Sequence, residues 1–348
     1  MMEVDFIIVG QGLAGSALAM ALMRRGKSVA VVDSNDPSAA TRVAAGLVTT
    51  LAGKGMNPAW RQSEYLPEAI AYYQNLERET GTPLFYPHPV LRLFKDAKEA
   101  AKFSRKADAL TEWVAKDVAE IPPNQLHAEF GGFEMAHGGR LDTLAYLKVV
   151  RQKIEKNGIY LEQSFDDASV ELSAEGVRWN GIHAQKIILC QGYAGLAAGR
   201  FSQLKHRSAK GEMLTVRVDQ LDSDRIISRN SWLVPLGAGL WRAGATYEWD
   251  DLSTTPTEEG RAEVEQKVAG LTSLPFKVVG HDAGVRPIIH RSQPVVGLDP
   301  TCQQIGFFNG LGSKGVITAP SVGEHFASFL TGEFDLDPEL SLVRVEKI

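Results

Sequence analysis

The first hydrophobic segment is a short, unbroken apolar run, Phe6-Ile7-Ile8-Val9, and it passes directly into Gly10-Gln11-Gly12-Leu13-Ala14-Gly15. Four consecutive apolar residues without alternation predict a strand covered on both faces, as in a parallel sheet. Leu13 to Arg25 follows, rich in Ala and Leu, and predicts a helix. The β-branched run Ser28-Val29-Ala30-Val31-Val32-Asp33 then predicts a second buried strand. Strand, glycine turn, helix and strand make a βαβ unit at the very start of the chain.

Beyond it the pattern alternates between the two periods. Trp60 to Thr80 predicts a helix that stops at Gly81-Thr82-Pro83. Pro87 to Phe94 predicts a short strand, and Ala97 to Val118 a charged helix before the break at Pro122-Pro123. Leu141 to Lys156 has amphipathic helical spacing, and Gly158 to Gln163 is strand-like. Lys186 to Leu189 predicts a buried strand that ends at Cys190-Gln191-Gly192. Residues 211–218 and 231–249 predict antiparallel strands, with a hairpin turn at Gly237–Gly239. A polar helix spans Thr257 to Leu271. Finally Ile305 to Asn309 leads into Gly310-Leu311-Gly312-Ser313-Lys314-Gly315 and a last helix to Leu330, stopping near Gly332.

The first unit carries chemistry. G-x-G-x-x-G between a strand and a helix, with an acid about twenty residues further on, is the dinucleotide-binding fingerprint in its full context. Gly10 permits the tight turn, Gly12 lets a pyrophosphate approach the backbone, and Gly15 lets helix and strand pack closely. The helix start offers free N–H groups and positive potential to the phosphates. Asp33 is placed to accept from a ribose diol, and its carboxylate would repel a 2′-phosphate, which disfavours NADP. A strand ending in a Gly-rich loop that opens a helix recurs at 305–315 and predicts a second anion or carbonyl site.

At 348 residues the chain has room for two domains, and 44% hydrophobic with 23% charged residues is the balance of a globular protein. A net charge of −5 argues mildly against a nucleic-acid partner. Two cysteines, Cys190 and Cys302, are too few for a disulfide framework. No secretory signal is recognised before the first strand and no segment has the length of a membrane span, so a cytoplasmic location is expected. The histidines show no metal-ligand spacing, and no metal is expected.

Four blocks in this order resemble the flavoprotein family of D-amino-acid oxidase, glycine oxidase and sarcosine oxidase. They are the N-terminal fingerprint, Thr41-Arg42-Val43-Ala44-Ala45-Gly46, Ala283-Gly284-Val285-Arg286-Pro287, and Asn309 to Pro320. Gly244-Ala245-Thr246-Tyr247 supports the match. The last block is also similar to the oxidase domain of the bifunctional enzyme that modifies a tRNA wobble uridine.

The resemblance implies an α/β fold: a Rossmann-like FAD-binding domain of the glutathione-reductase type with an inserted α+β substrate domain built on an antiparallel sheet. The expected partition is 1–82, 138–205 and 281–348 for FAD, and 83–137 and 206–280 for substrate. FAD is expected to bind non-covalently. Its implied contacts are Gly10, Gly12, Leu13, Ala14, Gly15, Asp33, Ser34, Arg42, Ala45, Gly46, Leu47, Cys190, Gly192, Arg286, Asn309, Gly310, Leu311, Gly312, Ser313, Lys314 and Gly315.

Three residues are expected to serve catalysis. Arg286 matches the arginine that clamps a substrate carboxylate, since a guanidinium forks onto a carboxylate with both nitrogens. The competing reading is a structural ion pair with Asp282. Lys314 would place a cation near the flavin's N1/C2 edge, against the alternative of a solvated loop lysine. Tyr247 would close the substrate pocket, against that of a packed core tyrosine. His290 and Arg291 have no role assigned to them. Trp232, Trp241 and Trp249 read as hairpin packing, and Cys190 as an inert buried thiol.

The implied reaction is oxidation of a C–N bond in a small amine or amino acid. A hydride passes from the α-carbon to flavin N5, and water hydrolyses the resulting imine. Oxygen, a quinone or another acceptor then takes the electrons. Two alternatives stand beside it: oxidation of a carboxymethylaminomethyl group on a tRNA base, and a flavin-binding subunit of a larger dehydrogenase. The sequence leaves the amine, the acceptor and the oligomeric state open.

Overall fold

The computed structural model describes residues 2–116, 120–122, 124–221, 224–289 and 292–346. His290 and Arg291, Pro123, and the far end of the helix predicted to reach Val118 lie outside the described residues.

The first sheet is a mostly parallel layer. Met2–Val9 is flanked in parallel by Val29–Asp33 on one side and Ile182–Leu189 on the other, and Ile159–Glu162 extends the layer beyond Val29–Asp33. Cys302–Asn309 pairs in parallel with the C-terminal half of Ile182–Leu189, and Val295–Asp299 lies antiparallel beyond it. Phe6, Ile7, Ile8 and Val9 are all buried, as their unbroken apolar run requires, because helices cover this part of the sheet. On one face Leu13–Arg24 packs against Gly315–Leu330, where Gly323 sits so close to Ala17 that an added Cβ would lie 3.0 Å away. Truncating Ile8 to Ala would remove a fully buried side chain from this contact layer and cost roughly 2–5 kcal/mol.

The second sheet is antiparallel apart from one parallel pair. Its order runs Lys277–Arg286, Ala209–Arg217, Leu240–Gly244, Trp232–Gly237, Ile226–Ser228, Val90–Leu93 and Gly132–Met135. The hairpin turns at Gly237–Gly239, where all three residues have positive φ. Behind the sheet, Glu258–Ala269 starts at Thr257, whose hydroxyl accepts from the Gly260 N–H. Trp241, Leu214 and Val264 belong to its core.

Two helix expectations change. The charged helix ends at Ser104, and a single 3₁₀ turn, Ala107–Leu110, follows. No residue of Ala97–Ser104 is buried, whereas Leu110 and Trp113 turn inward, and Val114 bridges to Met135 of the sheet. Tertiary packing thus overrides a continuous helix. The amphipathic helix starts at Thr143, capped by Asp142, because Gly139–Leu141 is taken up as a strand between Leu47–Val48 and Phe85–Pro87.

Among the described residues, no helix is long and apolar enough to cross a membrane, and no group of three His, Cys, Asp or Glu side chains is arranged to hold a metal.

Candidate active site

The carboxyl ends of the parallel strands meet at one crevice: Val9 leads to Gly10, Val29–Asp33 ends at the acid, Leu189 leads to Cys190, and Asn309 leads to Gly310. Open α/β sheets bind ligands at such ends. A cavity of about 650 Å³ begins there and runs to the face of the antiparallel sheet.

At the near end, Gly10 has φ +100°, and a Cβ there would lie 2.5 Å from the Cys190 carbonyl oxygen. Gly15 packs directly beneath Gly10, so that any side chain would overlap the Gly10 carbonyl. These two positions let the turn fold tightly under the helix Leu13–Arg24. That helix begins at Gly12, which has no side chain to cap it, so the first-turn N–H groups past Leu13 remain to face a ligand. The Leu13 N–H donates to Thr41 Oγ1 at 3.2 Å. Asp33 is held by the N–H groups of Gln11 (2.6 Å) and Asn35 (2.8 Å). Asn309 ties its loop to the strand end by donating from Nδ2 to the Gly192 carbonyl at 2.7 Å, while its Oδ1 accepts from the Gly310 N–H at 2.8 Å.

At the far end two cations face the cavity. Lys314, the residue before the helix Gly315–Leu330, contacts Thr49 Oγ1 through Nζ at 3.1 Å, and burial pushes its pKa down to about 8. Arg286 ends the strand Lys277–Arg286. Asp282, its alternative partner, is instead bound by Arg242 Nη1 at 2.6 Å. Arg286 makes one long contact, from Nη1 to the Thr246 carbonyl at 3.5 Å, and its guanidinium stacks over the Tyr247 ring at 4.8 Å. Desolvation pushes its pKa down from the ordinary arginine value. Among the described residues no carboxylate pairs with it. The carboxylates that line the cavity among the described residues, Asp33 and Asp36, lie at the opposite end.

Of the expected residues, Gly10, Gly12, Leu13, Ala14, Asp33, Ser34, Ala45, Gly46, Leu47, Cys190, Gly192, Arg286, Asn309, Leu311, Gly312, Ser313, Lys314 and Gly315 line this cavity. Gly15 and Gly310 support it from behind. Arg42 lies 3.7 Å from Asp33 but lines a neighbouring cleft. Tyr247 is 44% exposed and stands outside the lining, over Arg286. Burial raises the Cys190 thiol pKa strongly, so the sulfur stays protonated.

The sequence reading missed Thr49, Gly211, Met213, Trp232 and Thr254 in the walls. Thr49 and Gly211 carried no motif. Trp232 belongs to the predicted hairpin, yet its indole faces the cavity beside Gly244 instead of serving packing alone.

Comparison with known proteins gives the same frame. The sequence pattern described as "FAD dependent oxidoreductase" matches residues 5–329. The chain is 25% identical to glycine oxidase of Bacillus licheniformis over 94% of its own length and 93% of that protein. It is 28% identical to the tRNA 5-methylaminomethyl-2-thiouridine biosynthesis bifunctional protein of Maricaulis maris, over 93% of this chain but 52% of that one. This chain therefore spans about half the length of that bifunctional relative. Among solved structures, glycine oxidase from Geobacillus kaustophilus superposes with TM-score 0.82 at 19% identity, covering 99% of both chains. Iminodiacetate oxidase from a Chelativorans strain superposes with TM-score 0.81 at 20% identity, covering 97% and 98%.

Proposed function

Because the chain belongs to the D-amino-acid-oxidase family of FAD-dependent oxidoreductases, we propose that it oxidises the C–N bond of a small amine that carries a carboxylate. The carrying observation is Arg286: a desolvated guanidinium facing the cavity and paired with no carboxylate among the described residues. A buried cation without a partner costs free energy, and a substrate carboxylate held by both nitrogens offsets that cost.

The near end of the cavity fits FAD. A glycine-lined turn that admits no Cβ, an uncapped helix start and a carboxylate held for a ribose are the features a pyrophosphate and a ribose need. The first-turn N–H groups would meet the phosphates, Asp33 the ribose diol, and the loop Asn309–Gly315 the ring system. The protonated Cys190 thiol favours non-covalent attachment. In this reading residues 1–82, 138–205 and 281–348 form the FAD domain. Residues 83–137 and 206–280 form the substrate domain, with the strand Lys277–Arg286 crossing from one to the other.

When bound, FAD supplies the two-electron acceptor for a hydride from the carbon next to nitrogen. The chain's own residues supply placement and charge. Arg286 fixes the carboxylate and so the adjacent carbon. Arg286 and Lys314 are both cationic near neutral pH, and two positive charges lower the pKa of an incoming ammonium, favouring the neutral amine that the reaction requires. With the reacting end lined by no carboxylate among the described residues, no protein base is invoked. Trp232 and Met213 contribute apolar wall that excludes water.

The test is anaerobic bleaching of the flavin absorbance, screened over glycine, sarcosine, D-amino acids, proline analogues and the same amines with the carboxylate replaced by a methyl group. Bleaching confined to carboxylate-bearing amines supports the reading. Equal bleaching by the methyl analogues refutes it.

A second reading, an amine carried on a larger planar group such as a nucleobase, is favoured by one feature. Tyr247 and Trp249 are both exposed, lie 4.9 Å apart by ring centroid, and are flanked by Arg286 and Arg207. Such a platform stacks planar groups.

A further inference from the structure

A second cleft, of about 560 Å³, lies behind the segment 42–45, between that segment, the start of the helix Thr143–Asn157 and the edge of the antiparallel sheet. Three arginines converge there: Arg42, Arg140 and Arg242. Their partners are unequal to them. Arg242 is satisfied by Asp282 at 2.6 Å, Thr215 Oγ1 at 2.8 Å and the Val43 carbonyl at 2.8 Å. Among the described residues Arg42 reaches only Asp33, at 3.7 Å, whose oxygens already accept two backbone N–H groups at the first cavity.

Arg140 has the least exposed side chain of the three. Its side chain is only 11% exposed. Its Nε is buried without any hydrogen-bond partner. Its guanidinium lies over Tyr86 at 4.7 Å from the ring centre and reaches Asp142 Oδ2 at 3.5 Å. The other oxygen of Asp142, Oδ1, caps the helix, accepting from the Ala145 N–H at 3.0 Å. With Asp142 and Asp282 also in the lining, the three arginines leave the cleft one positive charge in excess, which raises its potential toward anions. At the rim two leucines stand exposed, Leu144 at 55% and Leu236 at 37%.

We propose that this interdomain cleft is a binding site, separate from the catalytic cavity, for a small organic anion: a phosphate or carboxylate held by Arg140 and Arg42, with a short apolar body against Leu144 and Leu236. A planar oxyanion would pair with the terminal N–H groups of Arg140, the fork geometry that guanidinium offers. Val43, Ala44 and Ala45 line both cavities.

The experiment is calorimetric titration of the FAD-loaded protein with phenyl phosphate and, separately, with benzoate. Both are repeated in an Arg286→Met background, so that the catalytic cavity no longer competes for anions. We expect one saturable site for at least one of the two probes, retained with Arg286→Met and weakened at least about tenfold by Arg140→Met. Phenyl phosphate alone would mark the site as phosphate-reading, benzoate alone as carboxylate-reading. Leu144→Glu, a change at an exposed rim position that leaves the fold intact, puts a negative charge at the mouth and should weaken binding as well. It carries the test if Arg140→Met fails to fold. The proposal is overturned by absence of binding up to roughly 10 mM of both probes, by binding that vanishes with Arg286→Met, or by binding that neither Arg140→Met nor Leu144→Glu weakens.

Discussion

The guanidinium of Arg286 lies across Gly211 so closely that any Cβ at that position would overlap it. The two residues sit on neighbouring strands, Lys277–Arg286 and Ala209–Arg217, with Gly211 opposite Gly284 in the register. The missing side chain at 211 is therefore the space in which the arginine is held facing the cavity. Gly211→Ala should push the guanidinium aside without touching any part of the FAD end. The expected result is a Michaelis constant raised about tenfold or more for a carboxylate-bearing amine, with FAD content unchanged. An unaltered Michaelis constant would show that Arg286 adjusts freely and that Gly211 does not position it.

Arg286→Ala removes the clamp itself. The stacking partner Tyr247 is exposed and the contact to Thr246 is long, so little else depends on the side chain. Loss of a charge-assisted fork is worth roughly 1.5–3 kcal/mol. That corresponds to about a 10- to 150-fold fall in kcat/KM for carboxylate substrates, and a much smaller fall for an amine lacking the carboxylate. Steady-state kinetics on such a matched substrate pair decide it. An equal fall for both would assign Arg286 to the fold instead of to substrate.

Asp33→Ala should weaken FAD binding by roughly 1.5–3 kcal/mol, the cost of losing a charge-assisted contact to a ribose hydroxyl. The substitution also releases the N–H groups of Gln11 and Asn35, so part of the loss comes from a looser turn. Fluorescence titration of the apoprotein with FAD measures it. Wild-type affinity in the variant would remove Asp33 from the site.

The βαβ unit and the hairpin were legible in the sequence because their signals are local: an unbroken apolar run, glycines at fixed offsets, a two-sided strand pattern around Gly237–Gly239. The near wall of the cavity and the two cations of its far end were legible for the same reason, since the residues from Gly10 to Gly15, from Ala283 to Pro287 and from Asn309 to Gly315 are contiguous in the chain. The rest of the far wall was not. Gly211, Thr49 and Thr254 come from three distant segments, and only the register of Ala209–Arg217 against Lys277–Arg286 brings Gly211 under Arg286. The Arg286–Asp282 ion pair, the competing reading for Arg286, does not form. Proximity in sequence favoured Arg286, four positions on, whereas strand pairing brings Arg242 to it. The helix over 97–118 failed because burial of Leu110 and Trp113 outweighs helical propensity, a decision made by the rest of the fold.

Lys314 gives the sharpest pH dependence. The unfolded chain keeps the lysine proton to about pH 10.4, while burial lets the folded protein release it near pH about 8. Between those values the unfolded state binds more protons, so wild-type stability rises with pH across this window. Below about 8 the folded protein carries the full cost of a desolvated ammonium whose hydrogen-bond partner is the Thr49 hydroxyl. Lys314→Met removes that cost. The apoprotein of the variant should therefore melt higher than wild type at pH 7, with the gain fading as pH approaches 10.5. In the FAD-loaded protein the same charge should be useful, because an ammonium beside the cavity favours negative charge arriving there. Lys314→Met should lower the flavin's reduction potential, where about 30 mV corresponds to roughly 1.4 kcal/mol for two electrons. It should also weaken a carboxylate inhibitor, and the wild-type affinity for that inhibitor should fall as pH rises through about 8 while the variant's stays flat. Thermal melts of the apoprotein from pH 7 to 10.5, with a spectroelectrochemical titration of the holoprotein, separate the two effects. If the variant matches wild type in melting profile, potential and inhibitor affinity, Lys314 faces solvent in the working protein and has no part in the site.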